Sequence, residues 1–299
     1  MTPRALFVGD LVLDTVVVAP HLPEPDEKVI VDVLQESIGG VAANAAAACS
    51  LAGTSATLCS PIADDAGGQL LATSLAELSL ATELEREGNV TPRAFILLDE
   101  SGEKRLLLRP GGRMYPSSQK VQELALSDVG WVHTAIYDRE PAAALIDRCR
   151  ERDIPWSIDL EPATLGAGLD GIAEHLDGCE TVFVNSRAMD EIGRAPVTRL
   201  LERGVRTVIE TRGEAGARLT TATATTEIAA PAPTAVRDTT GAGDALAGWF
   251  VAERMRGATS IDALQLAVLA ASLSVSKVGS VASYPTRREL ELVSADQIR

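Results

Sequence analysis

From about residue 115 to residue 211 the chain alternates short apolar runs with helix-length runs. Trp131–Thr134, Trp156–Asp159, Thr181–Asn185 and Thr207–Thr211 predict strands. Pro141–Arg152, Leu169–Leu176 and Val197–Arg203 predict helices between or beside them. This alternation leaves few folds open. A strand that is apolar along its whole length needs cover on both faces, and helices returning between parallel strands supply it. The opening run Ala5-Leu6-Phe7-Val8-Gly9 has the same character and adds another buried strand. The expected class is therefore α/β, with a mainly parallel central sheet between helices. A length of 299 residues allows two domains. No repeat and no linker composition divides the chain, so a single domain over 1–299 is expected.

Two segments break the alternation. Residues 11–37 hold Leu11-Val12-Leu13, Val16-Val17-Val18 and Val29-Ile30-Val31 around the turn-rich stretch Pro20–Asp26, which reads as hairpin material. Ala94–Leu108 is also β-rich, with Asp99-Glu100-Ser101-Gly102 as its turn. Segments 11–37 and 91–110 together predict a small second sheet, a lid. Helices are expected over about Gly40–Ala52, Gly68–Leu78, Gly241–Arg256 and Ile261–Val278, with Ser260 as N-cap of the last. The Thr/Ala-rich stretch 220–226 reads as a turn between short strands.

Charge removes several roles. With 27 basic and 42 acidic residues the net charge is −15, which opposes phosphate backbones and anionic lipid surfaces. Neither nucleic acid nor membrane is an expected partner. Aromatics are 3%, too few for base-stacking platforms. Cys49, Cys59, Cys149 and Cys179 form no CxxC pair, and His21, His133 and His175 are scattered. These are the cysteines of a reducing compartment, not of a zinc site. The segment MTPRALFVGD turns polar too soon for a signal peptide, and no apolar run reaches the length of a membrane span. A cytoplasmic location is expected.

Asp238-Thr239-Thr240-Gly241-Ala242-Gly243-Asp244 carries the chemistry. Gly-x-Gly at a helix start presents backbone N–H groups that, with the helix dipole, make an anion hole. A carboxylate one residue later would repel a phosphate unless it takes a proton from an attacking hydroxyl. That combination is what phosphoryl transfer to an alcohol requires. Asp14 is out of place in the apolar run Leu11–Val18, where burying a charge is costly unless something binds it. It is a candidate for holding sugar hydroxyls, and Asp10, at a strand end, is a weaker one. Walker A and Rossmann spacings are absent.

DTTGAGDALAGWF resembles the C-terminal signature of the ribokinase-like (PfkB-type) carbohydrate kinases. Gly39-Gly40-Val41-Ala42-Ala43-Asn44 resembles the family's N-terminal GG-x-x-x-N signature, and Ile62–Gly68 its VGDDxFG element, with Ala63 in place of a glycine. The resemblance covers essentially the whole chain. It implies a ribokinase-like three-layer α/β/α domain with a β-sheet lid, and ATP-dependent phosphorylation of a small sugar. It makes Asp244 the base and Gly241, Ala242 and Gly243 the anion hole. It places Asp14, Gly39, Gly40 and Asn44 on the sugar. Thr211-Arg212-Gly213-Glu214-Ala215-Gly216 resembles the T-x-G-x-x-G turn along ATP, giving Thr211, Gly213 and Gly216 to the nucleotide. Asn185 resembles the start of N-x-x-E. Its fourth position is Ala188, and Asp190, Glu191 and Glu161 are the candidates to stand in for that glutamate around Mg²⁺. Asp238, Thr240, Ser274, Lys277, Gly279 and Ser283 match a monovalent-cation site, implying K⁺, with Lys277 offering its carbonyl only.

Arg105 and Arg109, near the lid, are expected to meet an anionic substrate group or to pair with surface acids. Together with Asp159-Leu160-Glu161-Pro162 and Val182-Phe183-Val184, they give a resemblance to ketohexokinase among the sugar kinases. Ribose, a ketose and a sugar acid remain open as substrates. So do a nucleoside or vitamin kinase of the same fold and a non-catalytic sugar-binding regulator. Apolar side chains on the lid predict a homodimer through it.

Overall fold

Side chains alternate along strand β1 (Arg4–Val8), and they divide the molecule. Ala5 and Phe7 enter one hydrophobic core, Leu6 and Val8 the other. The computed structural model describes residues 3–31, 33–78, 80–99, 104–166, 168–231 and 235–297. After β1 the strands are β2 (Val12–Ala19), β3 (Val33–Gly39), β4 (Ala56–Ile62), β5 (Ala81–Arg86), β6 (Arg93–Asp99) and β7 (Lys104–Arg109). Then come β8 (Val129–Ala135), β9 (Trp156–Leu160), β10 (Thr181–Asn185), β11 (Thr207–Thr211), β12 (Ala217–Thr220) and β13 (Thr225–Ile228). The helices are α1 (Val41–Leu51), α2 (Ala66–Glu77), α3 (Ser118–Glu123), α4 (Arg139–Arg150) and α5 (Ala173–Leu176). They continue with α6 (Ser186–Ile192), α7 (Pro196–Glu202), α8 (Ala242–Met255), α9 (Ser260–Ser274) and α10 (Arg287–Gln297).

The large sheet runs β13-β12-β11-β10-β9-β8-β1-β4-β5. It is parallel from β11 to β5, with β12 and β13 added antiparallel. Core residues from α1, α2, α8, α9 and α10 cover one face, and residues from α3 to α7 cover the other. This is the expected three-layer α/β/α domain. Parallel strands put their C-terminal ends on one edge, where open α/β sheets hold ligands.

The lid expected from 11–37 and 91–110 is a separate sheet of order β3-β2-β6-β7, with β3 running on to Gly39. Its middle pair, β2 and β6, is parallel; the outer pairs are antiparallel. On its inner face Val12, Val16, Ala94 and Ile96 form a small core, against which Val18 and Met114 pack. By register Phe95 lies opposite Leu107, on the outer face.

Several details differ from expectation. Val29–Val31 precedes β3 without joining it, and Ile30 is 84% exposed. The expected turn after Asp99 lies outside the described residues. Leu169–Leu176 divides into a 3₁₀ turn and α5, with glycine at 168 and 171 weakening a continuous helix. Thr259, not Ser260, caps α9: its hydroxyl accepts from the Asp262 amide at 3.2 Å. That helix ends near Ser274 because the amides of Arg237 and Asp238 turn to the Val275 carbonyl. Strand β4 is buried along its length although Thr57, Ser60 and Pro61 disguise it in sequence.

Candidate active site

Two helices with small side chains bring the central pair together. Six of the eleven residues of helix α1 are alanine, and Val41 to Cys49 are buried. Helix α8 crosses it at Gly248, where a Cβ would lie 2.3 Å from the Ala45 carbonyl oxygen. One turn before Gly248 stands Asp244; beside Ala45 stands Asn44. The close crossing sets them face to face, and Asn44 Nδ2 donates to Asp244 Oδ2 at 2.8 Å. Before α8, Gly241 takes a left-handed φ of 74°. Its carbonyl accepts from the Tyr284 hydroxyl at 2.9 Å, and a Cβ there would strike that hydroxyl. Gly243 is bare: a Cβ would meet nothing within 4 Å. Gly241, Gly243, Asn44 and Asp244 line a cavity of about 380 Å³ between the sheet edge and the lid. Ala242 does not line it, and its amide turns to the Thr239 carbonyl at 3.4 Å, so the expected three-residue hole presents its two glycines to the cavity.

The cavity floor is acidic. Asp10, Asp14, Asp159, Glu161 and Asp244 line it, with no Lys or Arg among its described lining residues. Asp14 fits because residue 39 is glycine: a Cβ there would sit 2.0 Å from the Asp14 carboxyl. Gly40, φ 100°, brings the chain against the Asp10 backbone. Asp10 accepts the Val41 and Ala42 amides at 3.1 Å each, at the start of α1. Burial outweighs those bonds and pushes its carboxyl up to about 7. Burial also drives Asp159 and Asp244 well above the carboxylate range. For Asp244 the Asn44 hydrogen bond pulls the other way, while Glu161, Asp10 and Asp14 add to the rise. Tyr137 donates to Glu161 Oε2 at 2.7 Å.

A second carboxylate ties the C-terminal tail to the start of α8. Asp238 Oδ1 accepts from the Thr240 amide at 2.8 Å and from its hydroxyl at 2.6 Å, and Oδ2 from the Gly279 amide at 2.9 Å. Thr240 reaches the cavity; Asp238, Ser274, Lys277, Gly279 and Ser283 lie outside its lining. Arg109 is not where expected. Leu106 and Leu108 line the cavity, so Arg109, one residue on, belongs to the opposite face of β7.

The sequence model of the pfkB family carbohydrate kinases matches residues 3–287. This chain belongs to that family. As a pfkB kinase it is 25% identical to a ribokinase of Haemophilus influenzae, over 97% of both chains. It is 27% identical to an ATP-dependent ribose-1-phosphate kinase of Halopiger xanaduensis, over 95% of both. The ribokinase structure from Giardia lamblia superposes with a TM-score of 0.87 at 18% identity, covering 99% of this chain and 100% of that one. Arabidopsis thaliana ribokinase complexed with ribose and ATP gives 0.82 at 21%, covering 98% and 99%. The chain is an enzyme, a kinase, and the family's general activity is ATP-dependent sugar phosphorylation.

In this pfkB kinase Asn185 and Thr211 reach the cavity from the ends of β10 and β11. Asn185 also caps α6, its Oδ1 accepting from the Ala188 amide at 2.9 Å. Gly213 and Gly216 shape the turn after β11 at positive φ and do not line the cavity. Of the three acids considered in place of the glutamate missing at 188, only Glu161 lines the cavity; Asp190 and Glu191 are exposed. Among the described residues no three His, Cys, Asp or Glu converge to hold a metal unaided. Oxygen donors alone suit a hard cation that arrives on nucleotide phosphates and keeps much of its water, so the residues fit Mg²⁺ in that form. Among the described residues no helix is long and apolar enough to cross a membrane.

Tyr137, Met114, Leu106 and Leu108 also line the cavity and carry no motif in sequence. Asp159 had a signal, an acid at the C-terminal end of a parallel strand. Tyr284 had none; it supports Gly241 from 43 residues away.

Proposed function

We propose that this kinase transfers the γ-phosphoryl group of ATP to a hydroxyl of a small sugar. The observation that carries the proposal is the joining of Asn44 and Asp244 at the head of α8, inside the acid-floored cavity. Asp244 accepts the proton of the attacking hydroxyl through one oxygen while Asn44 holds the other. The amides of the first turn of α8, approached closely at Gly241 and Gly243, receive the negative charge of the transferring group. Asp14, seated in the space left by Gly39, accepts the sugar's other hydroxyls. Asn185, Thr211 and the turn at Gly213 and Gly216 serve the nucleotide. Glu161 is the residue that would help hold a nucleotide-bound Mg²⁺, which would supply charge neutralisation on the phosphates. Closure of the lid over the acceptor keeps water from competing as phosphoryl acceptor.

The test is ADP release across neutral sugars, sugar acids and nucleosides, with Asp244→Asn beside the wild type. Loss of a general base lowers kcat by roughly 10²–10⁴. Near-normal turnover in a folded Asp244→Asn protein sinks the assignment. Asp14→Ala raises KM for the acceptor and leaves KM for ATP nearly unchanged.

A further inference from the structure

We infer that the acceptor carries no negative charge: the cavity selects a neutral or amine-bearing polyol and rejects sugar acids and sugar phosphates. The inference rests on the reading that Asp244 activates a hydroxyl in this cavity.

Charge is the first observation. Five carboxyl groups line the cavity, and none of its described lining residues is basic; the nucleotide's phosphates would bring Mg²⁺ as their counter-charge, whereas an anionic acceptor brings none. Arg105 and Arg109, the lid's candidates for meeting an anion, alternate with Leu106 and Leu108 on β7, and it is the leucines that face inward. An anion set beside the carboxyl groups meets like charge and no basic side chain to offset it.

Hydrogen-bond demand is the second. Asn44 is 4% exposed, and its Nδ2 is engaged with Asp244. Its Oδ1 is buried with no hydrogen-bond partner. A buried acceptor left unpaired requires an incoming donor. The group set against Asn44 is therefore a hydroxyl or an ammonium, because an ionised carboxylate or phosphate placed at that point cannot donate.

The opposite wall is the third. Val12, Ala94, Ile96, Leu106, Leu108 and Met114 make it aliphatic. An anion pressed against them loses hydration and gains no donor. The C–H face of a sugar ring or an alkyl chain fits there.

Acceptors that differ only in charge test this: D-glucose, D-glucosamine and D-glucuronate, and D-ribose against ribose 1-phosphate. Rates are read by ADP release. The anionic member of each set is expected to show kcat/KM at least about a hundredfold below its neutral parent. Glucosamine is expected to equal or exceed glucose. Glu161→Gln should narrow the neutral-to-anionic ratio, a change that simple loss of activity would not produce; Asp159→Asn serves if that variant does not fold. An anionic acceptor used as well as its parent overturns the charge rule and leaves the kinase reading standing. No ADP from any acceptor, with folding verified, overturns both.

Discussion

Asn44 and Asp244 are 200 residues apart in the chain and 2.8 Å apart in the fold, joined by an amide-to-carboxylate hydrogen bond. The bond has a consequence for titration. Burial raises the Asp244 carboxyl, and Asn44 is what lowers it again. A base must be ionised to act, so the rate rises with pH as Asp244 loses its proton. Asn44→Ala removes the lowering influence and should move the acid limb of the kcat/KM profile to higher pH. It should also raise acceptor KM. A profile with an unmoved limb would show that Asn44 only binds substrate.

Asp10 gives a stability prediction of opposite sign to the usual carboxylate. Its pKa is raised on folding, from an ordinary 3.8 to about 7. Stability from this group is therefore full below pH 3.8 and declines as pH rises through 7. Asp10→Asn keeps an acceptor for one α1 amide and removes the ionisation. The variant's melting temperature relative to wild type should be higher at pH 8 than at pH 5. In domains of about 150–250 residues each kcal/mol is worth roughly 2–4 °C, and somewhat less in a chain of 299 residues. A difference between the two proteins that is constant with pH would refute the account.

Much of the candidate site was legible because polar residues stood in apolar surroundings. Asp14 in a valine-rich strand, Asn44 in an alanine helix and Asp244 at an apolar helix start all reach the cavity. Parity hid the lid. In Lys104–Arg109 three leucines run consecutively, so alternation could not show that Leu106 and Leu108 face in while Arg109 faces out. Ala242 was masked in the same way, since a motif names three residues but a helix start turns them in different directions. Tyr137 and Met114 sit in connections whose course depends on the whole fold, and local pattern carries no information about that. Helix starts slipped by a residue or two where a cap such as Thr259 had an equally plausible neighbour.

We propose that K⁺ stimulates the enzyme through the tail. Asp238 spans Thr240 and Gly279, linking the head of α8 to the C-terminal segment. A cation held there by backbone carbonyls and hydroxyls would steady the amides at Gly241–Gly243 without touching either substrate. Rates in K⁺ should exceed those in tetramethylammonium at equal ionic strength, and Asp238→Asn should erase the difference. Equal rates in both cations would reduce the tail to a structural brace.

The lid carries the last prediction, a homodimer. Phe95 and Leu107 face each other across β6 and β7 on the outer side, and they are 38% and 64% exposed. Val17 and Leu97, paired in register next to them, are half-buried. An outward apolar strip on a small projecting sheet invites association unless it is covered. A two-fold contact covers both copies at once with one self-complementary surface. The inner face has a different purpose: Val16 is fully buried and Val18 packs with it, so a charge at Val18 would damage the lid itself. Leu107→Lys is the cleaner test, because it changes only the outer strip. Sedimentation at micromolar concentration should give a dimer for the wild type and a monomer for Leu107→Lys, with the variant still folded. A wild-type monomer across that range would end the proposal, and so would a dimer indifferent to Leu107→Lys, since its contact would lie elsewhere on the molecule.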